Sequence, residues 1–167
     1  MATSSGSDNF QVGPIQTAQL PALAALAMAA WQTGPGQDLS AEARSMFRAS
    51  SPFLSFLRLH APWCWQVDLG GVPVGWLGRE AESGLVTDLW VHPDFQRTGA
   101  GTALVLALQA HLASQQVSAM EVETTIDNGA ALAFYRAHGF SRIWTRRRYD
   151  TFARVHIEKV RLRKGLN

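Results

Sequence analysis

A glycine loop at residues 96–101, Gln-Arg-Thr-Gly-Ala-Gly, limits the fold of this chain more than any other segment. It follows an apolar run at 85–91 and a break at His92-Pro93, and it precedes an apolar helical pattern at 102–112. The first amides of a helix have no partner inside the helix, and the helix dipole makes that end positive. Because glycines let the backbone approach a ligand closely, the order strand, loop, helix predicts a site for a phosphate-bearing ligand.

Three kinds of glycine loop compete for this segment. A P-loop requires a lysine and a hydroxyl after its last glycine, and no lysine stands near this loop. A dinucleotide fingerprint requires a third glycine where Leu104 stands, and an acidic residue about 20 positions on, where only Glu121 and Glu123 lie near the right distance. The third alternative is a capped helix whose glycines serve only close packing. The loop alone leaves the last two alternatives open.

A second segment, residues 128–140, reads Asn-Gly-Ala-Ala-Leu-Ala-Phe-Tyr-Arg-Ala-His-Gly-Phe. The loop resembles the Gln/Arg-x-x-Gly-x-Gly/Ala signature of the GNAT acetyltransferase superfamily, and this second segment resembles that family's Asn-x-x-Ala-x-x-x-Tyr-x-x-x-Gly-Phe helix. The interval between them has room for one helix and one strand, as the family requires. The resemblance is strong over residues 72–149 and rests on pattern alone before that.

The resemblance implies an α/β protein with the GNAT fold: a central mixed, mostly antiparallel sheet flanked by helices, with two central parallel strands that splay apart. It implies an N-acetyltransferase that moves an acetyl group from acetyl-CoA to a primary amine by direct attack in a ternary complex, without a metal. The alternative is an inactive GNAT-like domain that binds an acyl-CoA as a sensor or structural anchor. The residues expected to hold the cofactor are Leu89, Trp90, Val91, Gln96, Arg97, Thr98, Gly99, Ala100, Gly101, Thr102 and Asn128.

Three residues are candidates for the proton transfers. The resemblance implies that Tyr135 is the general acid, and its seven-residue distance from Asn128 puts both on one helix face. Glu123 is the candidate general base, Asp88 on the neighbouring predicted strand is the alternative base, and a reaction without a dedicated base is the third possibility. A backbone amide near Val91 is the expected oxyanion donor, freed by a bulge in its strand.

The triple arginine at residues 146–148 has two interpretations. It is a patch that attracts an acidic substrate or the 3′-phosphate of coenzyme A, or it is an edge strand that carries charge to block edge pairing. Strand alternation sends Arg147 to the face opposite its two neighbours.

Five tryptophans are considered for the core: Trp63, Trp65, Trp76, Trp90 and Trp144. Most of them are expected to be buried there, while Trp90 is a candidate wall of an apolar acceptor pocket.

Composition limits the remaining classes. The chain has 167 residues, 47% of them apolar, and a formal charge of +2. These values predict one domain at 10–167 after a disordered tail at 1–9, with no nucleic-acid partner and no membrane span. The single cysteine, Cys64, is interpreted as a packing residue and fits a reducing cytoplasm. The acceptor is predicted to be a small-molecule or peptide amine, and the protein a monomer or homodimer.

Local patterns predict the other elements. Thr17 is expected to cap a helix at 18–32, and Ser40 to begin a second one. Gly70-Gly71 is expected to turn a hairpin. A last hairpin is expected to pair residues 140–149 with 152–162 across Asp150-Thr151.

Overall fold

The computed structural model describes residues 9–150 and 155–166, which form eight strands and five α-helices in those ranges. The helices are α1 (Leu20–Thr33), α2 (Ala41–Ala49), α3 (Pro52–His60), α4 (Ala100–Ser114) and α5 (Gly129–Ala137). The strands are β1 (Phe10–Pro14), β2 (Trp65–Leu69), β3 (Val72–Gly78), β4 (Leu85–Val86), β5 (Asp88–Val91), β6 (Ala119–Thr125), β7 (Ser141–Asp150) and β8 (Val155–Gly165).

Two four-stranded sheets share one stretch of chain. The first sheet has the order β1-β2-β3-β5 and is antiparallel throughout, and the second has the order β4-β6-β8-β7 with one parallel pair, β4 with β6. Strands β4 and β5 are consecutive, so the run predicted as one strand passes from one sheet to the other. The predicted mixed, mostly antiparallel architecture with flanking helices is therefore confirmed, but as two sheets instead of one central sheet.

The passage between the sheets occurs at Thr87. Its amide donates to the Gly78 carbonyl at 3.1 Å, although the register partner of Gly78 is Asp88. Two successive residues thus face one residue of β3, which is the pattern of a β-bulge and turns the strand away from its former neighbour. Beyond Val86 the chain pairs with β3 and no longer with β6. We refer to the opening between β5 and β6 as the split.

Helices cover the sheets through two apolar clusters. Helix α4 packs on strands of both sheets, and its buried Leu104 and Leu108 join Val122 and Leu162 of the second sheet. Helices α1 and α3 pack together around Trp76, whose indole nitrogen donates to the Leu23 carbonyl at 3.0 Å. Of the described helices, none is long and apolar enough to cross a membrane.

Most element predictions match the structure, with small shifts at the ends. Ser40 caps α2, since its hydroxyl accepts from the Ala43 amide at 3.1 Å. Thr17 does not cap α1, because a 3-10 turn at Thr17–Gln19 precedes that helix. The hairpin glycines Gly70 and Gly71 have φ angles of 60° and 80°, and the turn requires such positive values.

Two predictions fall partly or wholly outside the described ranges. Strands β7 and β8 pair from Ser141 opposite Arg163 to Asp150 opposite Val155, so the last hairpin exists. Of its predicted turn, Asp150 is instead the last residue of β7, while Thr151 and the start of the second strand, at 152–154, lie outside the described residues. Residues 1–8 of the predicted tail also lie outside them.

The expected core placement of these five tryptophans is confirmed in part, because Trp65 and Trp90 pack against the two apolar clusters while only Trp76 is fully buried. Trp76 is fully buried, whereas the other four are partly exposed: Trp63, Trp65, Trp90 and Trp144. For Trp144 the reason is register. It lies opposite Arg161 on β8, on the face of the second sheet away from the buried Val160 and Leu162.

Candidate active site

The glycine loop presents free backbone amides at the start of a 15-residue helix. Gly99 is the N-cap of α4 with φ +102°, and Arg97 also adopts a left-handed φ of 63°. The Ala103 amide donates to the Gly99 carbonyl at 2.9 Å. The backbone amides of residues 97–102, by contrast, have no backbone acceptor among the described residues. Six consecutive amides at the positive end of a helix form a cradle for an anionic group, which fits a diphosphate.

Side chains of the loop are used to hold its shape. The Gln96 amide group donates to the Val91 carbonyl at 3.1 Å, and the Thr98 hydroxyl donates to the Phe95 carbonyl at 2.6 Å. The Thr102 hydroxyl lies 3.0 Å from Nε2 of His138. The two threonine hydroxyls therefore have partners inside the protein. Only the backbone amides of these two residues remain available to bind an anion.

His138 connects the end of α5 to the start of α4. Its Nδ1 lies 2.8 Å from the Phe134 carbonyl, which can only accept, so Nδ1 carries the proton and Nε2 accepts from the Thr102 hydroxyl. The Phe134 ring also lies 3.4 Å from where a Cβ on Gly101 would stand. These contacts fix the helix that carries Tyr135 against the cradle.

Helix α5 begins and ends as its sequence predicts. The Asn128 side-chain oxygen accepts from the Ala131 amide at 3.1 Å, which makes Asn128 the N-cap. Gly139 follows the helix with φ +85°, a left-handed conformation that glycine adopts at little cost. The helix is thereby held at both ends.

Tyr135 is 5% exposed and packs between aromatic rings, with centroids 5.4 Å from Phe134 and 5.6 Å from Phe140. Burial raises the pKa of its hydroxyl well above the ordinary range, and the negative charge of Asp88 raises that pKa further. The hydroxyl therefore keeps its proton at neutral pH.

Strand β5 is an edge strand of its sheet and borders the split. The His92 amide donates to the Val74 carbonyl at 2.9 Å, and Trp90 lies opposite Trp76 in register. Because successive amides of a strand point in opposite directions, those of Leu89 and Val91 point away from β3. The edge therefore offers backbone donors to a ligand in the split.

Asp88 stands at the start of β5 with a donor on each oxygen. The Trp90 indole nitrogen donates to Oδ1 at 3.0 Å, and the Thr87 hydroxyl donates to Oδ2 at 3.1 Å. Burial raises the pKa of the Asp88 carboxyl, and the nearby Glu80 raises it further, against these two hydrogen bonds. Trp90 in turn packs edge-on against Phe53 at 4.9 Å, which joins the site to the α1–α3 cluster.

Glu121 and Glu123 share one partner. Arg161 donates to the Glu121 carboxylate at 3.3 Å and to the Glu123 carboxylate at 2.7 Å. The Glu123 side chain is only 10% exposed. Since β4 pairs with β6 at Glu121 and Val122 and then departs, Glu123 lies where the split opens.

Sequence reasoning did not find Arg161, His138 or Thr87. Arg161 is opposite Glu123 in the register of β6 with β8, so only the strand pairing reveals it. His138 bonds to Thr102 across 36 positions, so no local pattern shows that contact. Thr87 lacks a signature, since its role arises from the bulge.

Cys64 is a packing residue, as predicted. It is fully buried, its thiol donates to the His60 carbonyl at 3.1 Å, and burial raises its pKa to about 12. A thiol that stays protonated is a poor nucleophile. Throughout residues 9–150 and 155–166, no group of three or more His, Cys, Asp or Glu side chains has a metal-binding arrangement.

The fold and this site can be compared with known proteins. The sequence model of the Acetyltransferase (GNAT) family matches residues 22–140. This chain belongs to the GNAT family. The match begins in α1 and ends at Phe140, so it includes the cradle and α5 but not β7 and β8.

Individual curated relatives match a shorter part of this chain than the family model does. The [ribosomal protein bS18]-alanine N-acetyltransferase of Salmonella typhimurium is 36% identical over 70 residues, which are 42% of this chain and 47% of the relative. The chain thus spans about half the length of the curated relatives it matches.

Solved GNAT structures share the fold. A GCN5-related N-acetyltransferase from Rhodopseudomonas palustris superposes with a TM-score of 0.74 at 21% identity, covering 93% of this chain and 94% of the other. The PaiA N-acetyltransferase of Thermoplasma acidophilum, solved in complex with coenzyme A, gives a TM-score of 0.69 at 13% identity, covering 90% and 98%.

Proposed function

We propose that this GNAT protein acetylates a primary amine with acetyl-CoA as co-substrate, by direct attack in a ternary complex. The observation that carries the proposal is the buried Tyr135 on a helix that the contact between His138 and Thr102 fixes against the free amides of the cradle. Those amides match a diphosphate, and the edge of β5 matches an extended arm with polar groups.

Binding of acetyl-CoA is assigned to the β5 edge, the glycine loop and Asn128. The amides of residues 97–102 hold the diphosphate, and Arg97 adds a positive charge at the loop surface. Backbone groups of Leu89 and Val91 bind the arm that leads from the diphosphate into the split, whereas those of Trp90, which was also expected to bind it, face β3. When bound, acetyl-CoA supplies a thioester carbonyl that an amine can attack.

Glu123 is proposed to remove the proton from the attacking amine, directly or through a water. Arg161 occupies its Oε2, and no donor to its other oxygen occurs among the described residues, so one oxygen is available at the opening of the split. Asp88 has donors on both oxygens, although burial raises the pKa of its carboxyl above the ordinary value and so favours proton uptake. Geometry favours Glu123, and Asp88 is the alternative.

Two groups complete the transfer. The amide near Val91 donates to the carbonyl oxygen as it gains negative charge. The carbon–nitrogen bond forms, the carbon–sulfur bond breaks, and Tyr135 gives its proton to the departing thiolate. Because the pKa of Tyr135 lies above its ordinary value, the rate should show no fall from tyrosine ionisation up to about pH 10.

The acceptor is proposed to be the amine of a polypeptide. The support is the name of the curated relatives, which act on an alanine of a ribosomal protein. A monomer or homodimer in the cytoplasm remains the proposal for the state and location of the chain.

The experiment is release of coenzyme A thiol from acetyl-CoA with a panel of peptide and small-molecule amines, for the wild type and Tyr135→Phe. We expect release with at least one amine and a fall in kcat of about 100-fold in the variant, while acetyl-CoA binding stays within about twofold. An equal kcat would remove Tyr135 as the acid. Thermal stabilisation by acetyl-CoA without release to any amine would instead support the inactive acyl-CoA-binding domain.

A further inference from the structure

Positive charge is concentrated in the last two strands. Eight of the 15 Lys and Arg residues of the chain lie in β7 and β8, against two acidic residues, Asp150 and Glu158. The whole chain has a formal charge of only +2. The concentration is therefore local, and it lies beyond the residues that match the family model.

Strand register divides this charge between two faces. Arg161 is opposite Glu123 on one side and opposite Trp144 on the other, so these residues share a face with the proposed base. Arg146 and Arg148 follow Trp144 at two-residue intervals and lie on that face as well. Arg147, opposite Glu158, lies on the other face.

Three guanidinium groups surround the Trp144 ring. Arg146, Arg161 and Arg148 lie 4.7, 4.8 and 5.7 Å from its centroid. Arg161 is neutralised by Glu121 and Glu123. Arg146 and Arg148 are exposed, and no ion pair with a carboxylate forms for either of them within the described ranges. Their uncompensated charge makes this surface attractive to anions.

We propose that the surface formed by Trp144, Arg146 and Arg148 docks an acidic polypeptide acceptor, with the amine at Glu123 and the acidic side chains on the two arginines. The inference rests on the proposed function and names its substrate class. Two strand spacings and two to four residues along β7 separate Glu123 from these arginines, or about 12–16 Å. An extended peptide covers about 3.4 Å per residue, so its acidic residues should stand about three to six positions after the amine.

Charge alternation favours a peptide over a nucleic acid. A phosphate backbone laid across this face would meet Glu121 and Glu123 as well as the arginines, and its charge is negative throughout. A peptide with an amine at one end and carboxylates further along matches both signs. Charged residues on an edge strand also prevent it from pairing with another chain, but that role does not explain this surface. It would not require the charges to lie on one face around an aromatic ring.

The test compares two peptides of one length that differ only at positions three to six, acidic in one and basic in the other. For the wild type we expect kcat/KM to favour the acidic peptide by at least about tenfold, and raised salt to reduce this preference. The double variant Arg146→Gln/Arg148→Gln should bring the ratio near one. Arg147→Gln, with the same loss of charge on the same strand but the opposite face, should keep it.

A charge reversal protects the test against misfolding. Arg146→Glu/Arg148→Glu should raise kcat/KM for the basic peptide above the wild-type value, a gain that an unfolded variant cannot show. An acidic preference that persists in the double glutamine variant, or no preference in the wild type, would overturn the inference and leave the proposed function intact.

Direct binding separates the two proposals. Anisotropy of a labelled acidic peptide, measured with coenzyme A present, should show affinity that Arg146→Gln/Arg148→Gln abolishes. If this holds while no amine is acetylated, the docking surface stands and the proposed function fails. Displacement of the peptide by a single-stranded RNA of equal charge at equal or lower concentration would instead show a nucleic-acid surface and overturn the inference.

Discussion

The proposed cofactor side and the proposed acceptor side of the split differ in the groups that form them. The cradle consists of the free amides of residues 97–102, and its side chains Gln96, Thr98 and Thr102 bond to neighbouring parts of the protein. The acceptor side consists of charged side chains, with Arg161 holding Glu121 and Glu123 beside Trp144. One side is set by backbone conformation and the other by charges from three strands.

This difference means that cofactor binding and amine preference depend on different groups of the protein. Backbone amides survive most substitutions, so a cradle for one constant ligand can persist while the sequence around it changes. Side chains on β6, β7 and β8 can be exchanged without altering the backbone that carries them. We therefore expect substitutions on the acceptor side to change turnover and amine preference, and substitutions in the loop to change only the concentration of acetyl-CoA required.

The largest effect is expected for Glu123→Gln. Loss of the proposed base should lower kcat by about 100-fold, because positioned proton transfer contributes about 100- to 10,000-fold, while the KM for acetyl-CoA should change little. Steady-state kinetics with a saturating amine would measure both. The Asp88→Asn variant is the matched comparison. If it loses more activity than Glu123→Gln, Asp88 is the base and the assignment reverses.

A moderate effect is expected on the cofactor side. Arg97→Ala should raise the KM for acetyl-CoA by about fivefold, because one exposed charge contributes on the order of 1 kcal/mol to anion binding, and kcat should remain near the wild-type value. Since Arg97 has a φ of 63°, which alanine adopts less readily than glycine, Arg97→Gly is the control for backbone strain. An unchanged KM in both variants would mean that the amides alone hold the diphosphate.

The contrast between the sides also decides what the sequence could predict. The cradle depends on neighbours in the chain: Gly99 ends the loop, and the Ala103 amide takes the first helical bond. The Asn128 cap and the Gly139 end of α5 are local in the same way, and the family motif includes both. Such features can be predicted because short segments determine them.

The acceptor side depends on contacts between distant residues. Arg161 bonds to Glu123 across 38 positions and to Glu121 across 40. The division of residues 85–91 into β4 and β5 results from the competition of two sheets for one strand, which no pattern in that segment shows. The face on which the arginines gather around Trp144 required the register of β7 with β8.

The smallest effect is expected where the two sides meet, at Asp88, and it concerns stability. Since burial raises the pKa of this carboxyl in the folded protein, the folded state holds the proton more tightly than the unfolded chain, and ionisation opposes folding. This destabilisation is absent below the ordinary pKa of 3.8 and grows as pH rises through the raised value. Asp88→Asn, which can still accept from Trp90 and donate to Thr87, should therefore raise Tm at pH 7.5 and by less at pH 4. The exposed Asp38→Asn is the control; parallel Tm curves for wild type and Asp88→Asn would show that Asp88 carries its charge without cost.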